Sequence, residues 1–470
     1  MRRSGRGGSR PGLLQRTAAA GLLAAAWLSV SPADSPEPVG PAPTPAECAA
    51  LAGEVRSEFL HAWRGYESLA WGHDELRPVS ATPRDWGSAS LWMTPVDALD
   101  TMLLMGLTEE AAKTREAIAA HLSFDRDMSV KNFEITIRLL GGLLSSYEMT
   151  GDRRLLSLAQ DLGRRLLPAF GSPTRMPYMY VNLKTGRTSG AVSNPAEIGT
   201  LILEMGTLSK LSGNPEYFER AHAALLALAA RRASTGLVGE EINVETGAWV
   251  SRESHIGGGI DSYYEYLVKC GILFGDADCS RLARESLQAA SRFLAEERGG
   301  LLWYGSADME TGRRTSTIYG SLHAFLPAVL VLSGDLASAR RLQESGWRMW
   351  ALHGIEPEEL DYASLRVTAD GYALRPEIME SAYYLFQATR DRRYLAMGRR
   401  FFEDLRKNCR VGHGYTVLQS VVTKKQGDLM PSYFLAETLK YLYLLFRPEA
   451  LDFDRVVFNT EAHPLRKTAQ

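Results

Sequence analysis

Five carboxylates stand in apolar or aromatic surroundings where water would be scarce. Glu134 lies in Phe133-Glu134-Ile135-Thr136-Ile137-Arg138, Glu197 in Pro195-Ala196-Glu197, and Asp261 in Gly259-Ile260-Asp261-Ser262-Tyr263-Tyr264-Glu265-Tyr266. Glu377 and Glu380 share Arg375-Pro376-Glu377-Ile378-Met379-Glu380. A buried ionised carboxylate is costly unless it faces a polar cavity, a cation or an arginine. One such residue at a helix start is ordinarily explained by the helix dipole. Five of them, spread over four helices, point to convergence on one cavity. Carboxylates gathered in that way suit general acid and base work, one group protonating a leaving atom while another activates water.

Other chemistries are poorly provided for. The nine histidines form no HExxH pattern and no ligand pair at helical spacing, so a zinc site is not expected. Gly257-Gly258-Gly259 is followed by no phosphate-binding pattern and suits a tight turn. No EF-hand loop is present, so any calcium has to be held in another way. The four cysteines, Cys48, Cys270, Cys279 and Cys409, make no CxxC pair; proximity suggests Cys270 with Cys279 as a disulfide, against four small core residues. Trp71, Phe325, Tyr433 and Phe434 are aromatics able to stack on sugar rings, although aromatics on an apolar helix face are more often plain core.

The elements that must position these residues are helical. From Glu47 to Phe446 apolar residues recur at i, i+3, i+4 and i+7. The pattern predicts helices near 47–66, 94–106, 107–121, 130–150, 153–168, 194–212, 215–232, 257–274, 280–297, 317–332, 334–352, 375–389, 391–408 and 429–446. They alternate between an apolar, Gly-rich kind and a more charged kind, which should be buried and solvated respectively. Three turns, Lys184-Thr185-Gly186, Glu245-Thr246-Gly247 and Glu310-Thr311-Gly312, sit beside the strand-like runs Met179 to Leu183, Glu241 to Val244 and Leu301 to Tyr304. A repeat of one helix pair and one hairpin predicts an all-α fold, a single (α/α)7 barrel with short β-hairpins at one end. An open solenoid is the weaker alternative, because the carboxylates recur at the starts of the inner helices.

Composition sets the remaining bounds. The 470 residues carry 53 Lys+Arg and 55 Asp+Glu, a formal net charge of -2, so the basic excess of a nucleic-acid binder is absent. Arg2, Arg3, Arg6, Arg10 and Arg16 precede an apolar run from Thr17 to Val30 and then Ser31-Pro32-Ala33, the order of a secretory leader. The expected organisation is a signal peptide over 1–33, a Pro-rich linker over 34–46 and one catalytic domain over 47–470. Export to the periplasm or the medium follows, with no membrane span after the leader is removed.

Seven runs carry a resemblance. They are Ala70 to Pro78, Val96-Asp97-Ala98-Leu99-Asp100-Thr101, Phe133 to Leu144, Asp261 to Lys269, Leu374 to Ser381, Phe434 to Leu442 and Val457 to Leu465. In order along residues 55 to 465, they resemble glycoside hydrolase family 47, the class I α-mannosidases. The resemblance implies an (α/α)7 barrel, a calcium ion at its base and inverting hydrolysis of terminal α-1,2-linked mannose. It also implies Glu134 as general acid, Glu377 as general base and Asp261 as third catalytic carboxylate, with Glu134 and Asp261 able to share the acid's role. Thr460 matches the calcium-binding threonine. Glu197, Glu380, Glu437 and Glu461 match acids that hold calcium-bound water or sugar hydroxyls, Arg138 and Arg375 match pocket arginines, and Tyr433 and Phe434 are expected on the substrate side. The implied partner is an α-mannoside oligosaccharide or a glycoprotein glycan, bound by a monomer.

The chain departs from the glycan-trimming members at Ser321-Leu322-His323-Ala324-Phe325 and Met430-Pro431-Ser432-Tyr433-Phe434. The first of these, with Gly199 to Glu204 and Gly259 to Tyr263, is more similar to the ER-degradation-enhancing branch. A rival expectation is therefore a mannose- or glycoprotein-binding member with little turnover. A different (α/α)-barrel hydrolase would need its carboxylates elsewhere.

Overall fold

The computed structural model describes residues 38–467; the expected signal peptide, residues 1–33, lies outside them. The chain enters its first helix earlier than the expected linker boundary. Thr44 and Glu47 cap each other's backbone and Pro45 occupies the first turn, so α1 runs Pro45–Leu69.

The remaining helices are α2 Met93–Leu104, α3 Thr108–His121, α4 Asn132–Ile135, α5 Gly141–Thr150, α6 Arg153–Leu166, α7 Pro195–Gly199 and α8 Ile202–Ser212. They continue with α9 Glu216–Ala229, α10 Asp261–Phe274, α11 Ala277–Phe293, α12 Leu326–Ser333, α13 Leu336–His353, α14 Glu377–Thr389, α15 Arg393–Cys409 and α16 Leu439–Phe446. Two π-helical segments, Thr136–Leu140 and Phe434–Thr438, join α4 to α5 and lead into α16. An inner ring closes as α2, α4–α5, α7–α8, α10, α12, α14 and α16, each packed on the next and the last back on α2 through its π segment. Outside it stand α3, α6, α9, α11, α13, α15 and α1. The ring is sealed by joining the ends of the sequence, since α1 is the outer partner of α16. This is the expected (α/α)7 barrel.

Sequence decides which helix goes inside. In α6 the buried residues are Leu155, Leu156, Ala159, Leu162, Gly163 and Leu166, one stripe with arginines on the other face. In α10 burial runs without a break from Ser262 to Cys270. Each inner helix except α16 passes to its outer partner through a short turn, and Gly151, Gly213, Gly275 and Gly334 end inner helices with φ between 68° and 88°. Only glycine adopts that conformation freely. In three of these turns an aspartate follows and caps the outer helix: Asp152, Asp276 and Asp335 accept from the backbone N–H groups of Arg154, Cys279 and Ser338. The Cys270–Cys279 disulfide crosses one such turn and ties α10 to α11.

The return connections, from outer helix to inner helix start, carry the β structure. Neighbouring connections pair with one another, 129–131 with 180–182, 192–193 with 241–243, 253–254 with 306–308 and 318–320 with 359–361. A rim of small antiparallel sheets thus links the inner-helix starts. Two of the expected turns hold their predicted strands. The third differs: Glu310-Thr311-Gly312 joins 306–308 to 314–316, while Leu301–Tyr304 pairs with Ala295–Arg298. That second pairing also ends α11 at Phe293 rather than 297, because Gly299 and Gly300 supply positive φ for a tight reversal. Likewise α10 begins at Asp261, not 257, because Gly257 to Gly259 form the turn before it. Among the described residues no helix is long and apolar enough to cross a membrane.

Candidate active site

The starts of the inner helices enclose a cavity of about 270 Å³. Eight carboxylates line it, Glu134, Glu197, Asp261, Glu265, Glu377, Glu380, Glu437 and Glu461, against three cations, Lys131, Arg138 and Arg375. Thr460 and Tyr433 line the same space, with Phe325 and Leu322. Eleven of the twelve residues expected from sequence are therefore brought together. Phe434 is the exception: it is fully buried, its ring 4.7 Å from Tyr415, and it does not line the cavity. The π turn that aims Tyr433 and Glu437 inward sends Phe434 into the core.

Glu134 sits in α4 and is held from the next turn. Arg138 donates from Nε and Nη2 to Glu134 Oε2 at 3.1 and 2.9 Å, and from Nη1 to Glu461. The Arg138 guanidinium also lies 5.4 Å from the Tyr433 ring centroid. Burial opposes the charge on Arg138, but Glu461 and Glu134 hold it protonated, well above the ordinary arginine value.

Glu197 occupies the first turn of α7, where Asn194 accepts from its backbone N–H at 2.9 Å. Its side chain pairs with Lys131 at 2.5 Å, yet burial lifts its carboxyl to about 7. Asp261 opens α10; burial raises it to about 6 against the Ser262 N–H, which donates to Oδ1 at 2.7 Å. Glu377 opens α14, and burial raises it to about 7 although Arg375 pulls it down. Its Oε2 is buried without a hydrogen-bond partner, as is Glu197 Oε2. Arg375 is itself fixed by Glu358, with Nη2 to Oε2 at 3.0 Å.

One turn of α14 further on, Glu380 accepts from Tyr441 Oη at 3.2 Å and lies 3.6 Å from Lys269. Burial takes its carboxyl to about 8. Glu437 and Glu461 are also lifted well above the carboxylate range, first by burial, and in Glu437 next by Glu461 itself. Burial and mutual repulsion thus press protons onto these groups. A hard divalent cation would relieve the same imbalance, and Thr460, with hydroxyl and carbonyl, and Glu380, Glu437 and Glu461 supply oxygen donors of the kind it takes.

Thr460 comes from outside the helical ring. The antiparallel pair Val456–Phe458 and Pro464–Arg466 packs on α10 and α5, and its turn reaches the cavity. Asn459 builds that turn. Its Oδ1 accepts from the backbone N–H groups of Glu461 and His463 at 3.0 and 2.8 Å. Its Nδ2 donates to the carbonyl of Ile137 and to Glu204 at 2.8 and 2.7 Å.

Glu265 and Lys131 also line the cavity, and Glu358 fixes Arg375, without being expected there from the sequence. Glu265 carried a signal, standing one helical turn after Asp261. Lys131 and Glu358 lie in rim strands and loops, where no periodicity marks an inward side chain.

A family model, glycosyl hydrolase family 47, matches residues 58–467. Alpha-mannosidase I MNS4 of Arabidopsis thaliana is 40% identical over 450 residues, covering 91% of this chain and 71% of its own. The mouse ER degradation-enhancing alpha-mannosidase-like protein 2 is 37% identical over 472 residues, covering 93% and 80%. Among solved structures, the alpha-1,2-mannosidase from Trichoderma reesei superposes with a TM-score of 0.81 at 28% identity, covering 89% of this chain and 99% of its own. With the family model spanning the barrel and every carboxylate of the cavity, the chain belongs to glycosyl hydrolase family 47.

Proposed function

We propose that the protein is an exported, calcium-dependent exo-α-mannosidase that removes terminal α-1,2-linked mannose from oligosaccharides or glycoprotein glycans with inversion. The observation that carries the reading is the meeting of Glu134, Asp261 and Glu377 in one cavity whose other acids exceed its cations. Inversion needs one carboxylic acid on the leaving oxygen and one carboxylate on a water at the opposite ring face, roughly 6.5–9.5 Å apart. Glu134 and Glu377 stand on inner helices separated by α7–α8, α10 and α12, so they approach a sugar from different sides.

Arg138 orients Glu134 through Oε2 alone. Glu377 is the base: Arg375 favours its charged form, and its unpartnered Oε2 is free to hold water. Asp261 lines the same cavity at the start of α10, from where it can share the acid's work. Phe325 and Tyr433 offer apolar ring faces to the sugar. A calcium ion held by Thr460, with water bridged to Glu380, Glu437 and Glu461, would supply a site for sugar hydroxyls and offset the surplus negative charge.

The likeness to a degradation-enhancing relative favours a second reading, glycan binding with weak turnover. The test is mannose release from α-1,2-mannobiose by residues 34–470, with calcium and with a chelator. Release that stops on chelation supports the enzyme; no release in either condition, with sugar binding retained, replaces it with the binding reading.

A further inference from the structure

Behind the cavity the barrel buries a second set of charges that the proposed reaction leaves unused. His463 is fully buried, with Nδ1 2.7 Å from Asp100 Oδ2 and Nε2 3.2 Å from Asp97 Oδ1. Lys440, equally buried, lies 2.8 Å from Asp100 Oδ1 and donates to the Ala462 carbonyl at 2.6 Å. Ionised carboxylates only accept hydrogen bonds, so an imidazole between two of them is satisfied as imidazolium, both N–H groups donating. In that form Asp97 and Asp100 face His463 and Lys440, with Arg138 3.8 Å from Asp97 as a third cation. Removing one partner would leave a charge buried and unpaired.

Apolar side chains of similar volume often hold a fold together as well as a buried ion pair does. The network therefore invites the question of what it holds in place. It grips the turn that carries Thr460 from behind: His463 is the residue after Ala462, whose φ of 57° is strained for a side chain with Cβ. Lys440 pins the carbonyl of that same residue. On the other side Asp97 lies 3.8 Å from Arg138, the arginine that holds Glu134 and Glu461. Neither His463 nor Lys440 lines the cavity.

We infer that His463, Asp100 and Lys440 are positioning residues that fix the Thr460 turn for cation binding and, through Asp97, set the angle of Arg138. The inference rests on the calcium reading above. Residues that orient metal ligands without touching the metal typically change affinity or activity about 10- to 100-fold when altered.

The test compares wild type with His463→Gln and with Asp100→Asn/His463→Gln, the second keeping charge balance so that a folded variant is available. Calorimetric calcium titration of the metal-free proteins is read beside kcat and KM on α-1,2-mannobiose and the far-UV circular dichroism. The expected result is a native spectrum with calcium binding about tenfold or more weaker and a raised KM. A folded variant with unchanged calcium affinity and KM, altered only in melting temperature, overturns the inference and leaves a purely structural network. A wild type that binds no calcium overturns the reading beneath it instead.

Discussion

Glu377 is poised by two opposed effects, burial that lifts its carboxyl to about 7 and Arg375 that draws it down. Replacing it by Gln keeps the shape and removes the base. Turnover should fall about 10²- to 10⁴-fold while mannose binding persists, as read by steady-state kinetics and calorimetry; near-normal turnover would remove Glu377 from the role. Thr460→Ala should abolish measurable calcium binding, and an unchanged titration would exclude it as a ligand. At this scale the sequence was informative where a carboxylate opens an apolar helix. Glu134, Glu197, Asp261 and Glu377 were legible because polar residues at buried positions are conspicuous. Phe434 was misplaced because alternate aromatics at a helix start look alike until the backbone turn that aims them is known.

Helical periodicity located the fourteen helical stretches of the barrel, although 194–212 is broken between Gly199 and Ile202 and 317–332 opens on the rim strand 318–320 with its α-helix starting only at Leu326; the exchange of apolar and charged faces separated inner from outer. What it could not show is the extra residue in each π turn. A π turn shifts every side chain beyond it by about a quarter of a helical turn, so the faces that α5 and α16 bury are offset from those of the segments before them. The hairpin misassignment at 301–316 arises because two reversals, Gly299-Gly300 and Glu310-Thr311-Gly312, follow closely and each joins its own pair of strands. Close approach also lies below sequence resolution. A Cβ on Gly141 would sit 2.6 Å from Asn459 Nδ2 and 3.0 Å from His463 Cδ2, so α5 approaches the Thr460 turn as only glycine permits. Gly141→Ala should lower stability by about 1–3 kcal/mol through overpacking. It should also weaken calcium binding by displacing Asn459. Unchanged denaturation and titration curves would show that the contact is slack.

For the whole molecule the concentration of raised carboxyls sets how stability responds to pH. Glu197, Glu204 and Glu377 titrate at about 7 and Glu380 at about 8 in the folded chain, against 4.5 for an ordinary glutamate. The folded state therefore binds more protons than the unfolded one across that window, and the contribution is complete below 4.5 and lost as pH rises through 7 to 8. The metal-free melting temperature should fall from pH 5 to pH 8, and calcium should restore it most at the upper end. A flat profile would mean that the cavity charges are already compensated without a cation. The barrel closure between α1 and α16 belongs to this scale too: the repeat implied a ring, but which helices seal it depends on contacts between the two ends of the chain.

Proton NMR of residues 34–470 acting on α-1,2-mannobiose, followed at the anomeric signals from the first minutes with calcium and then with a chelator, reads both the stereochemistry and the metal dependence at once. An inverting, calcium-dependent enzyme gives β-mannose as the first product, appearing before mutarotation and ceasing on chelation. α-Mannose as the first product would exclude inversion, and release indifferent to the chelator would exclude the calcium requirement.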